Sequence, residues 1–281
     1  MKKALFLLFL LQMAGIGLSA QVLRVMSMNV RYDNPQDSAQ SWSHRKDNVI
    51  KAIKFYNADL LGTQEVLKNQ FEDLRDALPE YDSYGVGRDD GFSRGEHMVL
   101  FWKKNLFKVR NKGTFWLSET PDMPSIGWDA ACRRTATWLI LYDKKEKKEI
   151  LVVNTHLDHM GQKARQLGTN LLLNKIDSLA GKRPIVLTGD FNSIPEDSVI
   201  ANVLDKKHVP SMLNSRDHAD IVYGPYWTFH DFGRLPLKDK CLIDYIFYSG
   251  FSSVERYASL CECIDGIYLS DHCPIVSDLK Y

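Results

Sequence analysis

Pro184-Ile185-Val186-Leu187-Thr188-Gly189-Asp190-Phe191-Asn192 is the stretch on which the fold turns. A short apolar, β-branched run bounded by Pro and Gly has the make-up of a buried strand. This one ends in a carboxylate and an amide. Side chains alternate along extended backbone, so Asp190 and Asn192 are expected on one side and Phe191 in the core. An acid and an amide on the rim of a sheet suit phosphoryl chemistry: the carboxylate orients or deprotonates a water, and the amide donates to a phosphoryl oxygen.

Outward from this strand the pattern repeats. Residues 22–29 alternate and end on Asn29, and residues 59–63 deliver Gln64 and Glu65. Val49, Ile50, Ile53 and Tyr56 at helical spacing predict a helix over 43–57 with Ser43 as its N-cap. Strands are expected over 81–86, 98–102, 107–109, 135–142 and 149–154, the last two joined by the charged turn 143–148. An amphipathic helix over 162–179 presents Ala164, Leu167, Leu171, Ile176 and Leu179 on one side and stops at Gly181. Residues 242–248 form a further strand carrying Asp244, and Ser270-Asp271-His272-Cys273-Pro274-Ile275-Val276 closes the pattern. Several strands ending in polar or acidic residues fit an α/β layered fold with functional groups along one rim.

Composition bounds the reading. The 281 residues, 44% hydrophobic and 25% charged, supply a sizeable core without a disordered composition. One large domain is the default. Met1-Lys2-Lys3, the apolar run 4–11 and the small-residue exit Leu18-Ser19-Ala20 read as a signal peptide over 1–20. Cleavage near Ala20 would export residues 21–281 to the periplasm or outside the cell. Gln12, Gly15 and Gly17 interrupt the apolar run, which is too short to span a membrane. No transmembrane segment is expected in the mature chain, and a monomer is expected. Lys and Arg number 36 against 35 Asp and Glu, and the leader removes Lys2 and Lys3, so the mature chain is close to neutral. Broad electrostatic capture of nucleic acid or anionic membrane is not indicated. The five cysteines form no C-x-x-C pair, which excludes a zinc ribbon or thioredoxin-type motif. Buried free thiols, with room for one bridge, are expected.

Asp271-His272 adds a carboxylate and an imidazole, Asp244 is well typed to orient such an imidazole, and His156 follows the strand over 149–154. Taken singly, each has an ordinary structural explanation as a turn former, a cap or a buried histidine. Their joint occurrence shifts the balance.

In order, the chain carries Met28-Asn29-Val30-Arg31, Gln64-Glu65, Asn154-Thr155-His156-Leu157-Asp158, Gly189-Asp190-Phe191-Asn192, Ile243-Asp244-Tyr245-Ile246 and Ser270-Asp271-His272-Cys273-Pro274. From Val22 to Leu279 it resembles the endonuclease/exonuclease/phosphatase superfamily, which includes deoxyribonuclease I, inositol polyphosphate 5-phosphatases, deadenylases and bacterial sphingomyelinases. The resemblance implies a four-layered α/β sandwich, two mixed β-sheets packed face to face with helices on the outside, making residues 21–281 the catalytic domain. It also implies roles: Glu65, Asn29 and Asp271 as ligands of Mg²⁺ or Mn²⁺, one ion or two; Asp190 as the group activating water; Asn192 and His156 stabilising charge on phosphorus; His272, held by Asp244, as general base or phosphate contact. Whether Asp190 or His272 is the base stays open.

Arg94-Gly95-Glu96-His97, Gly113 to Pro121 and Gly127-Trp128-Asp129 resemble a secreted bacterial subgroup. Glu96 matches the acid that pairs with the His156-type imidazole in deoxyribonuclease I-like members. Arg133 or Arg134, with Trp116, Trp128 and His97, is a candidate pocket lining, Arg133 the preferred phosphate clamp. Tyr226-Trp227-Thr228-Phe229-His230 is a candidate substrate-facing loop. The expected function is metal-dependent phosphoester hydrolysis by in-line attack of water, with a phosphodiesterase or nuclease-like enzyme first and nucleic acid among the candidate substrates. The alternatives are a phosphomonoesterase on small phosphorylated sugars or nucleotides, and a surface-binding protein that retains the fold without catalysis.

Overall fold

The computed structural model describes residues 21–208 and 211–281; the expected signal peptide lies outside the described residues. The chain runs β1 (Val22–Asn29), α1 (Trp42–Tyr56), β2 (Leu60–Val66), α2 (Lys68–Ala77), β3 (Tyr81–Tyr84), β4 (His97–Lys103), β5 (Phe107–Trp116), β6 (Thr135–Asp143), β7 (Lys148–His156), α3 (Gln162–Ala180), β8 (Ile185–Asp190), α4 (Ser198–Val203), β9 (Leu213–Asn214), β10 (Ala219–Tyr223), β11 (Asp244–Ser249), β12 (Ser253–Ser259), β13 (Cys263–Ile264), β14 (Ile267–Tyr268) and β15 (Ile275–Lys280). One sheet has the order β10-β12-β15-β1-β2-β4-β3 and the other β5-β6-β7-β8-β11-β9. Both are mixed: β1–β2 and β7–β8 pair in parallel, while β1–β15 and β8–β11 pair antiparallel.

Three apolar clusters make the layers. Leu23, Val25, Leu60 and Leu100 meet Leu139, Leu141, Val152, Val186 and Ile246 between the two sheets. Val49 and Ile53 of α1 and Leu74 of α2 pack on the outer side of the first sheet over Met26, Met28 and Val99. Leu172, Leu173 and Ile176 of α3, with Val199 and Ile200 of α4, cover Leu151, Val153 and Leu187 of the second. This is the expected four-layered sandwich.

Several local expectations shift. Helix α1 starts at Trp42 behind Ser41, not behind Ser43. The strand expected over 107–109 runs on to Trp116, and the one expected over 81–86 stops at Tyr84. In α3 the buried stripe runs through Ala164, Gly168, Leu172, Leu173 and Ile176; Leu167, Leu171 and Leu179 are only half-buried at its flanks. Helix α2 was not expected from the sequence, although Phe71, Leu74 and Leu78 recur at helical spacing and pack on the outer side of the first sheet; it also buries Gln70.

A polar clip crosses the sheet interface near the rim. Gln64 Nε2 donates to Asn154 Oδ1 (2.7 Å), Asn154 Nδ2 donates to Thr63 O (2.8 Å), and Thr188 Oγ1 donates to Asn154 Oδ1 (3.1 Å). Gly62 makes room for it: a Cβ there would lie 2.2 Å from Thr188 Oγ1 and 2.8 Å from Asn154 Oδ1. These bonds fix β2, which carries Glu65, in register against β7 and β8, and leave the buried Gln64 Oε1 without a partner.

Candidate active site

Six strand ends converge. Asn29 ends β1, Glu65 lies near the end of β2, His156 ends β7, Asp190 ends β8, Asp244 opens β11 directly opposite Asp190, and Asp271-His272 precede β15. A pocket of about 930 Å³ opens among them, lined by Glu65, His156, Asp190, Asn192, Asp271 and His272, and by Glu96, Arg31, Arg88 and Arg134.

Asn29 is the hub. Its Oδ1 accepts from Arg31 N (2.9 Å), which turns Nδ2 toward the acids, 3.0 Å from both Glu65 Oε1 and Asp190 Oδ2. Asn29, expected as a metal ligand, brackets two carboxylates through Nδ2 while its oxygen accepts one backbone N–H. Tyr32 N donates to the other Glu65 oxygen at 3.1 Å. Gln70 of α2 secures this corner by accepting from Asp33 N and donating to Arg31 O.

His272 Nδ1 lies 2.8 Å from Asp244 Oδ2, and its Nε2 lies 3.7 Å from Asp190 Oδ2. The carboxylate therefore orients the imidazole so that Nε2 faces the pocket, as expected. Burial presses the His272 pKa down, but Asp244 and Asp190 outweigh it and hold the group well above the ordinary value.

At Asp190-Phe191-Asn192 the acid and the amide face the site and Phe191 the core, as expected, but not by strand alternation. Phe191 is fully buried against Tyr245 and Phe247. The strand, however, ends at Asp190, and Asn192 turns back at φ 45°, its N–H donating to Asp190 Oδ1 (2.9 Å). Asn192 Nδ2 then donates to Leu157 O and to His156 Nε2, both at 3.0 Å. With Nε2 accepting, the His156 proton sits on Nδ1, a buried atom without a partner. Burial, then Arg134 and Arg88, push the His156 pKa well below its ordinary value, so the ring is neutral. Arg31, Glu65 and Asn192 all hold positive φ without being glycine, a conformation that persists where surrounding bonds fix it and that gathers at functional sites.

The model of the Endonuclease/Exonuclease/phosphatase family matches residues 26–272. The chain belongs to that family. A solved endonuclease/exonuclease/phosphatase of Bacteroides vulgatus superposes with a TM-score of 0.88 at 43% identity, covering 92% of this chain and 99% of that one. A mannosyl-6-phosphatase of Bacteroides thetaiotaomicron superposes at 0.83 with 35% identity over 92% of this chain and all of that one. Among curated relatives, the CCR4-Not complex 3'-5'-exoribonuclease subunit Ccr4 of Mycosarcoma maydis is 24% identical over 80% of this chain, which spans 44% of it. The reaction class common to this family's nucleases and phosphatase is phosphoester hydrolysis, and it is the class this site serves.

Family membership implies a divalent ion, and the donor set fits one. Burial raises the pKa of Asp271, with Glu65 adding to it, and pushes Asp190 up to about 7, with Asp244 adding to that. Buried carboxylates that disfavour their own charges are what a cation relieves, and oxygen donors suit Mg²⁺ or Mn²⁺. Glu65 and Asp271 are the carboxylates that would hold it.

The substrate-side expectations need correction. Arg133 is outside the pocket lining, half-buried beside Asp89 (3.6 Å). The pocket arginine of that pair is Arg134, buried and held through Nε to Asp158 (3.3 Å) and Nη2 to His159 Nδ1 (2.9 Å). Glu96 does line the pocket but bonds Arg88 Nη1 (2.6 Å), and among the described residues no hydrogen bond joins it to His156. Burial, then Glu65, push Glu96 up to about 7. Trp116, Trp128 and His97 stay out of the lining: Trp116 Nε1 donates to Arg88 O (2.7 Å), and the His97 ring is tied to Val66 O (2.9 Å). Of the loop 226–230 only Phe229 reaches the pocket, its ring 5.0 Å from that of His272; Thr228 Oγ1 instead accepts from Asp244 N (3.2 Å). Arg88, Tyr32 and His159 also line the pocket without having been singled out in the sequence. Arginines within loops carry no spacing signal, so only the fold could gather them.

Proposed function

We propose that the chain is a divalent-metal-dependent phosphomonoesterase that removes a phosphate from a small phosphorylated sugar. The observation that carries this reading is the arginine wall of the pocket: Arg88 Nε and Arg134 Nη1 are buried N–H donors with no partner, next to the His156 Nδ1 proton that also lacks one. Buried unpaired donors cost about 1–3 kcal/mol each, so they are kept for an incoming acceptor such as a phosphoryl or sugar oxygen. The pocket volume of about 930 Å³ sits within the range of roughly 300–1,000 Å³ for small-molecule sites. The likeness to the mannosyl-6-phosphatase supports the same choice. This reverses the order expected from sequence, in which a diesterase came first.

In this mechanism the phosphoryl group lies between Asn192, His156 and the arginines on one side and Asp190 and His272 on the other. Asp190 takes a proton from the attacking water, poised for it by a pKa of about 7. His156, whose tautomer Asn192 fixes, donates through Nδ1–H to the phosphoryl oxygens as charge builds. His272, kept in place by Asp244, presents a charged Nε2–H to the same oxygens. A bound Mg²⁺ or Mn²⁺ would supply Lewis-acid polarisation of the phosphoryl group.

The lining by Phe229 and Tyr32 favours a second reading, a nuclease-like diesterase that stacks a base on these rings. Steady-state kinetics of residues 21–281 with Mg²⁺ on mannose 6-phosphate, p-nitrophenyl phosphate, bis-p-nitrophenyl phosphate and single-stranded RNA separates the two. A kcat/KM at least tenfold higher on the sugar phosphate than on either diester is the expected result; turnover of diesters alone overturns the monoesterase. Export to the periplasm or beyond, by cleavage near Ala20, belongs to the same proposal and is checked by N-terminal sequencing of the protein recovered from cell fractions.

A further inference from the structure

Outside the pocket, two cysteines face each other across β12 and β15. The ladder pairs Ser259 with Ile275, and Leu260 N donates to Pro274 O at 2.8 Å. One step further the same register sets Cys261 opposite Cys273. Cys273 N donates instead to Thr228 O (2.6 Å), so 261 and 273 occupy a position without mutual backbone bonds, where facing Cα atoms approach to about 4.5 Å. That spacing falls inside the range of roughly 4.4–6.8 Å that a disulfide spans. The two sulfurs and a ring nitrogen of His230 lie within 4.8 Å of one another.

A soft metal is the other occupant such a trio suggests, but His230 is unsuited to it. Its Nδ1 accepts from Gly233 N (2.9 Å), which puts the ring proton on Nε2 and leaves neither nitrogen with a free lone pair. Two thiols remain. Cys273 is buried and Cys261 exposed, which gives one sulfur that solvent reagents reach and one that only its neighbour reaches. Cys263, two residues on, is paired opposite Tyr268 in the β13–β14 hairpin.

We infer that Cys261 and Cys273 are a disulfide-forming pair that closes the loop 261–273 and so fixes the segment bearing Asp271 and His272. The oxidant is a small disulfide such as oxidised glutathione. The Cys261 thiolate attacks one of its sulfurs and expels a glutathione thiolate; the Cys273 thiolate then attacks Cys261 Sγ in the mixed disulfide and expels the second. The expelled thiolates take up the two protons the cysteines gave up. The protein loses two electrons and glutathione gains them. The export expected from the sequence would place the chain where such bonds persist.

The test is incubation of the purified chain in an oxidising glutathione buffer, alkylation, and mass spectrometry of unreduced peptides beside a thiol titration of the denatured protein. The expected result is a peptide pair linked through 261 and 273, loss of two of the five thiols, and a Tm higher than that of the reduced protein by roughly 5 °C or more. Cys263→Ser should keep all three changes. Cys261→Ser, at an exposed position, should lose them and have one Tm in both buffers. Five titratable thiols after oxidation, a bond that maps to Cys263, or a stable mixed disulfide at Cys261 each overturn the inference. Phosphatase activity enters none of these readouts.

Discussion

Asn192 at φ 45° changes what its side chain can do. The turn lets the amide reach Leu157 O and His156 Nε2 while its own N–H steadies Asp190, so one residue sets the tautomer of a histidine and the aim of a carboxylate. Asn192→Ala should lower kcat about 10²–10³-fold with little change in KM, as losing a preorganised donor does. Asp190→Ala and His272→Ala should each lower it about 10²–10⁴-fold, and the double variant should cost much less than the product, because the two act on one step. Arg134→Gln tests the pocket: KM for a sugar phosphate should rise tenfold or more while bis-p-nitrophenyl phosphate, with one fewer charge, is affected less. At this scale the sequence was legible for Asp190, Asn192, Asp244 and His272, whose motifs hold chemistry close together in the chain. It was not legible for Arg88, nor did it decide between Arg133 and Arg134, because the value of these arginines comes from being brought to His156 by separate loops.

At the scale of elements, strand ends were readable because a hydrophobic run that stops on an acid marks both a layer and a rim. Helix α2 was not read, although Leu67, Phe71, Leu74 and Leu78 stand at helical spacing; what only the fold shows is that its Gln70 ties the Arg31–Asp33 turn behind Glu65. Nor was the clip of Gln64, Asn154 and Thr188, three ordinary-looking strand residues that meet only across the sandwich. Gly62→Ala tests it directly. The added methyl would press on Thr188 Oγ1, and crowding of a packed interior costs about 1–3 kcal/mol; a lower midpoint in urea with an unchanged slope is the expected outcome.

Across the whole molecule, buried charge makes stability depend on pH and on metal. Asp190 and Glu96, both near 7 when folded, and His272, raised well above its ordinary value, each hold protons more tightly in the folded chain. Such groups stabilise at low pH and lose that contribution as pH rises through their folded values. Without metal, stability should therefore increase from pH 8 to about 6.5. Below that, His156 and His230, both lowered by burial, oppose the trend, because they stay neutral while their unfolded counterparts take protons. Excess Mg²⁺ should flatten the slope between pH 8 and 6.5 by replacing the protons. Thermal melts with and without EDTA across this range check the sign.

The central claim is attack of water on phosphorus at a metal-loaded site. Hydrolysis of mannose 6-phosphate in ¹⁸O-enriched water with Mg²⁺ tests it most directly. One ¹⁸O per released phosphate, none in the sugar, and no turnover in EDTA is the predicted result; label in the sugar, or equal turnover in EDTA, contradicts it.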